Sequence, residues 1–500
     1  MLQLVGESIL SRVQELLHYD ATSPLIFNSG LFLFVFVAFM AGYLALRRVT
    51  TLRILYVIAF SLYFYYKSSG IYFLLLIFSA VADYLIAHAI DSSQSRRERK
   101  GWVTLSVVIN LGMLAYFKYT NFFIEMANSL VGEGFLQFQN IFLPVGISFF
   151  VFQSMSYTID VYRGTLRPLD RFFDYLFYLS FFPQVLAGPI VRAKDFLPQI
   201  RKPLMVTRQM FGVGVSLVLV GLIKKAIISD YISLNFVDRI FDEPALYSGF
   251  ECLMGIYGYA LQIYCDFSGY SDMAIGIALL LGFQFPKNFD APYKSATITE
   301  FWRRWHISLS NWLRDYLYIS LGGNRKGRWR TYLNLLITMV LGGLWHGAAV
   351  RFILWGALHG VALAVHKLWL EIVPGSKALG KDMNPVMRVL GWFVTFNIVC
   401  LGWLLFRAED MQTVHLMLYQ IFHSFSPQII PQVIEGYKVV FGLIVLGYMM
   451  HFMPAKIDED ITRKVGTASF WWQVAMLTAV IWCVMQIKSS DIQPFIYFQF

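Results

Sequence analysis

Long apolar runs follow one another along almost the whole sequence, and they limit the possible folds more than any other feature. A helix needs about 20 apolar residues to cross the hydrocarbon core of a bilayer, and we count about twelve such runs. They are residues 25–46, 52–68, 71–90, 102–118, 141–161, 207–228, 250–282, 331–349, 352–373, 386–406, 436–453 and 470–487. Only 14% of the 500 residues are charged, whereas soluble domains carry about 25%, so lipid must cover much of the surface. The sequence therefore predicts an all-α, polytopic integral membrane protein whose first partner is the lipid bilayer.

The net charge of +10 does not indicate nucleic-acid binding, because the basic residues fall in short loops between apolar runs. Loops rich in Lys and Arg face the cytosol, so we place residues 47–53 and 96–100 on that side. Residues 1–24 carry scattered charges among leucines, which favours an amphipathic N-terminal segment on the membrane surface. Residues 25–375 would then form the core domain, and residues 376–500 would add C-terminal transmembrane helices.

Residues 172–190 are apolar but are flanked by basic residues on both sides. Pro183, Gly188 and Pro189 interrupt any regular helix in the second half of this segment. A segment that enters and leaves the membrane from the cytosolic side explains both observations. Broken backbone at membrane depth has to be buried in protein or beside a wet cavity. We therefore predict re-entrant segments in addition to the transmembrane helices; a kinked span with an unusual charge flank is the alternative.

The first of three polar blocks lies inside the apolar run 250–282. It contains four candidates for a substrate or donor site: Asp266, Ser268, Ser271 and Asp272. Carboxylates that face lipid cost several kcal/mol, so these side chains must face a polar interior. They either line a substrate path or form a buried hydrogen-bonded network that fixes helix packing. The sequence leaves both interpretations open.

The second block, residues 300–315, alternates aromatic and charged residues, as an amphipathic helix at the inner membrane boundary does. Its candidates for binding the substrate or donor are Trp302, Arg303, Arg304, Trp305, Asn311, Arg314 and Asp315. In this position His306 would lie near the cytosolic mouth of a cavity. A histidine at such a boundary is, taken alone, more often a structural hydrogen-bonding residue than a catalyst.

The third block, Leu341-Gly-Gly-Leu-Trp-His346-Gly, ends a helical run that begins near Thr331. A histidine well inside a membrane helix is a functional candidate by default, and imidazole is the usual general base near neutral pH. The neighbouring glycines would let a substrate or another helix come close. The alternative is a packing histidine beside a close helix crossing. Trp345 and, on the next apolar run, His359 are further candidates.

Residues 283–330 carry nine Lys or Arg and three Asp or Glu, and they end in the basic tail 322–330. One interpretation is an ordinary cytosolic loop. The other is a dock for phosphate groups, such as those of coenzyme A or of a carrier's phosphopantetheine. The chain has no HExxH motif and no Cys/His cluster, so we predict no metal site.

Together these motifs resemble those of the membrane-bound O-acyltransferases, above all the alginate O-acetyltransferase branch and then the D-alanyl transfer branch of teichoic acid synthesis. The resemblance covers most of residues 27–370 and rests on residues 143–149, 186–189, 267–276, 298–310, 312–319, 321–325 and 341–347. It implies a helical ring around a tunnel with an inner and an outer mouth. In that arrangement His346 matches the near-invariant family histidine, and His306 matches the second histidine motif.

The resemblance also implies a function and partners. It implies a thioester donor from the cytosol, either acetyl-CoA or an acyl carrier protein, and no permanently bound cofactor. It further implies a multi-pass protein of the bacterial inner membrane that hands the acyl group to an extracytoplasmic acetyltransferase or a polysaccharide acceptor. From the residues and the resemblance we predict transfer of an acyl group, in the first instance acetyl, to a hydroxyl, with His346 as the base and His306 as the second catalytic histidine.

Two other classes of protein would also have intramembrane polar residues. A transporter or flippase needs broken helices and carboxylates within the membrane, and Asp266 and Asp272 would then be coupling-ion sites. A non-catalytic scaffold for a cell-surface assembly is the third possibility.

Overall fold

The regular secondary structure of the protein is helical wherever the computed structural model describes the chain, which confirms the all-α prediction. The described residues are 17–20, 24–132, 134–373, 384–487 and 495–496. Most of the predicted amphipathic segment 1–24 and the predicted domain boundary at residues 375–376 lie outside them. The chain divides into two compact units, residues 1–207 with 277–285 and residues 208–276 with 286–500.

The α-helices of the first unit are joined by connections of different lengths. They are α1 (Gly30–Ala45), α2 (Thr50–Ser69), α3 (Phe73–Ser92), α4 (Arg96–Leu114), α5 (Thr120–Val131), α6 (Ile147–Tyr162), α7 (Phe172–Ser180), α8 (Phe182–Val185) and α9 (Ala193–Ile200). Local sequence sets some of their ends. At the start of α4, for example, the Ser95 hydroxyl accepts a hydrogen bond from the Glu98 amide at 3.1 Å, as an N-cap serine does.

A buried carboxylate ties three helices of this unit together. Asp83 on α3 is fully buried and accepts hydrogen bonds from Ser106 and Asn110 on α4, each at 2.7 Å, and from Ser154 on α6. Each bond satisfies an oxygen that would otherwise be costly to bury. The network therefore fixes the packing of α3, α4 and α6.

The apolar segment 172–190 is broken as its sequence predicts. Helix α7 ends at Ser180, the one-turn helix α8 follows, and the chain from Phe181 to Val191 is buried. Gly146 approaches this segment closely, because a Cβ on Gly146 would lie 2.6 Å from the Val185 carbonyl oxygen. Irregular backbone at this place is thus covered by protein, as a membrane protein requires.

The remaining α-helices lie in the second unit, apart from residues 277–280 at the end of α11, which belong to the first unit. They are α10 (Arg208–Leu222), α11 (Gly249–Leu280), α12 (Ile298–Arg304), α13 (Ile307–Trp312), α14 (Arg328–His346), α15 (Val350–Ile372), α16 (Pro385–Arg407), α17 (Met411–His423), α18 (Ile430–Gly436), α19 (Lys438–Phe452), α20 (Ala455–Thr467) and α21 (Phe470–Ile487). Helix α10 continues to Asp242 through two π-helical segments, Ile223–Ser229 and Ser233–Val237, and another π-helical segment, Leu313–Tyr318, follows α13.

Ion pairs join the π-helical continuation of α10 to α11. The Lys224 ammonium lies 2.7 Å from Asp272, and the Lys225 ammonium lies 2.5 Å from Asp266 and 2.8 Å from Asp230. The helices can approach this closely because Gly221 and Gly269 face each other; a Cβ on Gly221 would lie 2.6 Å from the Gly269 carbonyl oxygen. Both aspartates of the first polar block are therefore neutralised by lysine.

The structure agrees with the membrane prediction more closely than with the predicted number of spans. Among the described residues, five helices are long and apolar enough to cross a membrane, and seven are if each of two sharply bent pairs counts as one span. The expected count of about twelve spans is not confirmed. Several predicted runs form shorter helices, such as the 16-residue α1, or helices diluted by polar residues, such as α11.

Candidate active site

His346 lies at the end of a helix and packs against aromatic rings on several sides. It is the last residue of α14, and 4% of its surface is exposed. The ring centroids of Trp345, Trp355 and Phe406 lie 4.9, 5.0 and 5.2 Å from that of the imidazole. The side chain is therefore sealed from bulk water and lipid by rings from α14, α15 and α16.

The glycines near His346 make a close helix crossing. A Cβ on Gly343 would lie 2.1 Å from the Phe352 carbonyl oxygen, and a Cβ on Gly356 would lie 2.3 Å from the Met339 carbonyl oxygen. Both positions require glycine because backbone of the facing helix occupies the space. The crossing of α14 and α15 places His346 opposite Trp355.

His306 sits between α12 and α13 in a backbone conformation that residues with a Cβ rarely adopt, with φ +42° and ψ +55°. Such a conformation costs about 1–3 kcal/mol and persists only where the surroundings hold it. The imidazole is fully buried, 4.6 Å from the Phe267 ring and 6.2 Å from the Trp345 ring. Since Trp345 also adjoins His346, one indole lies next to both histidines.

Asn288 holds the strained turn in place. Its side-chain oxygen accepts hydrogen bonds from the Ser308 amide at 3.2 Å and the Ser308 hydroxyl at 2.8 Å, while its main-chain oxygen accepts from Ile307 at 2.9 Å. Its amide group donates to the Ser271 hydroxyl at 3.2 Å. Ser271 of the first polar block therefore supports the turn at His306. Sequence analysis did not single out Asn288, because its importance comes from tertiary contacts that no local pattern reveals.

The other residues of the second polar block have distinct positions. Trp305 is buried against Trp403, at 4.8 Å between ring centroids. Arg304 pairs with Glu300 at 2.9 Å, and Asp315 pairs with Arg314 at 2.6 Å. In the first block, Ser268 is buried on α11.

A cavity of about 720 Å³ opens between the 298–318 segment and helices α14 and α15. Its volume lies within the roughly 300–1,000 Å³ range of small-molecule sites. Four candidate residues from the sequence line it: Trp302, Arg303, Asn311 and Arg314. Ile307, the residue after His306, is also part of the wall. The cavity therefore brings together four of the seven candidate residues of the second polar block.

The charges around the cavity are mainly positive. Arg303 and Lys367 line it and form no ion pair among the described residues. In the basic tail, the Arg328 guanidinium pairs with Glu371, a wall residue, at 2.5 Å. Lys367 and His366 on α15 were not singled out from the sequence, since only the fold brings that face of α15 to the cavity.

His359 connects the cavity wall to the surroundings of His346. It is fully buried, and its ring centroid lies 5.2 Å from that of Trp302 and 4.8 Å from that of Trp355. Trp302 lines the cavity, and Trp355 contacts His346. Among the described residues, no group of three or more His, Cys, Asp or Glu is placed to hold a metal ion.

The structure thus combines buried imidazoles and a cation-lined cavity within a helical membrane protein. The chain belongs to the membrane-bound O-acyltransferase family, whose model matches residues 104–406. It is an O-acyltransferase and a multi-pass membrane protein.

Three relatives illustrate the family. The probable alginate O-acetylase of Azotobacter vinelandii is 42% identical over 518 residues, which cover 95% of this chain and all of that protein. The peptidoglycan O-acetyltransferase of Helicobacter pylori is 36% identical over 78% of each chain. The teichoic acid D-alanyltransferase of Bacillus subtilis is 28% identical over 55% of this chain and 71% of its own length. The resemblance predicted from the sequence motifs is confirmed.

Proposed function

We propose that this protein takes an acetyl group from a cytosolic thioester and delivers it to a hydroxyl acceptor at the outer face of a bacterial inner membrane. The product would be an O-acetylated exopolysaccharide or cell-surface polymer, made with an extracytoplasmic partner transferase. The observation that carries this proposal is the continuity from the cavity, through Trp302, to the buried rings around His346.

The proposed reaction is direct acyl transfer. The hydroxyl oxygen of the acceptor attacks the thioester carbonyl carbon, and His346 accepts the hydroxyl proton. The new carbon–oxygen bond forms the ester, the carbon–sulfur bond breaks, and the proton passes to the leaving thiolate. A general base of this kind contributes roughly 10²–10⁴-fold to the rate. The aromatic rings around His346 would limit wasteful hydrolysis of the thioester by excluding water.

The cavity suits the donor. A phosphopantetheine arm is a slender chain with a phosphate at one end and a thioester at the other. Arg303 and Lys367, which form no ion pair with another described residue, would bind phosphate, because cations pair well with phosphate oxygens. The apolar wall and Trp302 would guide the arm towards His346, and His306 would help to place it. The positive charge of the 283–330 segment favours the cytosol for this mouth.

The relatives support a choice of acceptors to test. Those named above are described as acting on alginate, peptidoglycan and teichoic acid, and the first aligns over almost the whole of this chain. We therefore propose an alginate-like polysaccharide as the first acceptor to test and peptidoglycan fragments as the second.

One experiment separates acyl transfer from the transporter and scaffold alternatives. Purified protein in lipid vesicles is given acetyl-CoA radiolabelled in the acetyl group, or the same label on an acyl carrier protein, together with alginate oligosaccharides or peptidoglycan fragments. We expect release of the free thiol and label in an alkali-labile ester. Vesicles that release no more thiol than protein-free vesicles, with either donor and either acceptor, and also after addition of a periplasmic extract that supplies the partner transferase, would contradict the proposal.

A further inference from the structure

Several buried polar atoms lie together between the cavity and His346, and no described residue forms a hydrogen bond with them. Trp355 and His359 are four residues apart on α15, so their side chains share one face of the helix. They are 1% and 0% exposed. The indole nitrogen of Trp355, both ring nitrogens of His359 and the indole nitrogen of Trp302 have no partner within the described part of the chain.

Unpartnered atoms of this kind are expensive. A buried polar group without a hydrogen bond costs about 1–3 kcal/mol, and here four such atoms belong to three adjoining rings. An indole N–H can only donate, whereas a neutral imidazole donates through one nitrogen and accepts through the other. A ligand that satisfies these atoms would therefore carry an oxygen that accepts hydrogen bonds.

A glycine on the facing helix packs closely against two of these nitrogens. A Cβ on Gly402 of α16 would lie 2.8 Å from the Nε2 atom of His359 and 3.5 Å from the Nε1 atom of Trp355. Two of the unpartnered nitrogens thus converge on one small space. Any larger residue at position 402 would press against them.

The location of this space matches the proposed reaction. On one side Trp302 belongs to the cavity wall, and its ring centroid lies 5.7 Å from that of Trp355. On the other side the Trp355 ring meets His346 at 5.0 Å, ring edge against ring face. A donor arm that entered through the cavity would bring its thioester to Trp355 and His359 before it reached His346.

We propose that Trp355 and His359 bind the carbonyl oxygen of the acyl group and stabilise the negative charge that develops on it. This inference rests on the function proposed above. When the acceptor hydroxyl attacks, the carbonyl π electrons move onto oxygen; the Trp355 N–H and an N–H of His359 donate to that oxygen. The electrons return as the carbon–sulfur bond breaks. Donors aimed at a forming oxyanion act mainly in the transition state.

Substitution of Trp355 tests the donor directly. Trp355→Phe keeps an aromatic ring but removes the N–H, so we expect the rate of acetyl transfer at saturating acetyl-CoA to fall about 10²–10³-fold, with the apparent KM for acetyl-CoA little changed. Trp329→Phe is the matched control, because Trp329 is 82% exposed at the start of α14. A Trp355→Phe protein with a normal maximal rate would overturn the inference and leave the rings a packing role.

Two coenzyme A analogues test the proposed carbonyl site in the wild-type protein. One is a ketone in which a methylene replaces the thioester sulfur, and the other is S-ethyl coenzyme A, which has no carbonyl. We expect the ketone to bind about tenfold more tightly or better, and the difference to vanish in Trp355→Phe. Equal affinities in the wild-type protein would overturn the inference even if the variant failed to fold.

Gly402→Ala provides an independent test of the carbonyl site. The added methyl group would displace the imidazole of His359 and narrow the space, so the preference for the ketone should fall to that of Trp355→Phe. Gly442→Ala, on α19 with nothing within 4 Å of the new Cβ, is the matched control. If the wild-type protein transfers acetyl groups but Gly402→Ala behaves like Gly442→Ala, the carbonyl site is wrong and the proposed function stands. If the wild-type protein transfers nothing, the proposed function itself fails.

Discussion

His346 and His306 both lie beside the Trp345 ring, but different local structures hold them there. His346 ends a regular helix, and its position follows from the close crossing of α14 and α15 at Gly343 and Gly356. His306 depends instead on a strained turn that Asn288 holds. The two histidines should therefore respond differently to substitution.

His346→Ala should remove the proposed general base without unfolding the protein. The imidazole contacts aromatic rings at a helix end, so its loss leaves the helix crossing intact. We expect acetyl transfer to fall by at least about 100-fold, the lower bound for a lost general base, in a protein that stays monodisperse on size exclusion. His415→Ala, an exposed histidine on α17, is the control. A monodisperse His346→Ala protein with near-normal transfer would move the base to His306 or His359.

His306→Asn tests donor placement. Asparagine tolerates the left-handed conformation better than alanine does, so this variant should keep the turn while removing the imidazole. We expect the apparent KM for acetyl-CoA to rise, and high donor concentration to restore part of the rate. A fall in maximal rate that donor concentration does not restore would give His306 a role in the chemical step instead.

For single residues, the sequence identifies functional candidates when a side chain is rare in its surroundings. His346 and Trp302 stand out because histidine within a membrane run and aromatic residues in a charged block are uncommon. Asn288, Lys367 and Trp355 do not stand out, because each depends on a residue distant in the chain. Their contribution appears only when the helices are assembled.

Among the elements, the basic segment 283–330 combines residues with different surroundings. Arg303 and Arg314 line the cavity, Arg328 pairs with Glu371, and Arg325 and Lys326 are exposed. The sequence could not separate a topology signal from a phosphate dock, because both are made of the same residue types. The geometry allows the two to be tested separately.

Arg303→Gln with Lys367→Gln should weaken donor use. The pair removes two cations from the cavity wall, and each charge-assisted hydrogen bond contributes about 1.5–3 kcal/mol, less where solvent screens it. We expect the apparent KM for acetyl-CoA to rise by about tenfold or more, with expression unchanged. The matched pair Arg325→Gln with Lys326→Gln should have a smaller effect. If neither pair changes donor affinity, the segment acts only as a topology signal.

The glycine-rich end of α14 is a second element whose neighbour the sequence did not identify. The sequence allowed either a substrate or another helix to occupy the space beside Gly343. The structure fills that space with the backbone of α15. Because glycine permits any close approach, its presence alone does not identify the neighbour.

For the whole molecule, composition predicts the helical membrane class, while the number of spans needs more than apolar length. Helix α11 is 32 residues long, about 48 Å at 1.5 Å per residue, but its polar block lowers its apolar character. Helix α1 has only 16 residues. A count of spans from hydropathy alone is therefore unreliable where a helix is short or where its polar groups form hydrogen bonds inside the protein.

The re-entrant segment can be tested by cysteine accessibility. With Cys483 replaced, the three remaining native thiols are buried, so single cysteines at Pro168 and Leu197 report their own positions. If 172–190 enters and leaves on the cytosolic side, a membrane-impermeant maleimide should label both sites from the same face. Labelling from opposite faces would make the segment a kinked span.

The lysine–aspartate pairs between α10 and α11 have a consequence for biosynthesis. Lys225 can be neutralised by Asp230 within its own segment, but the partner of Lys224 is Asp272, which the ribosome adds 48 residues later. An ammonium left alone in lipid is costly, so the translocon has to retain α10 until α11 emerges. The two segments therefore partition into the bilayer as one helical hairpin rather than one after the other.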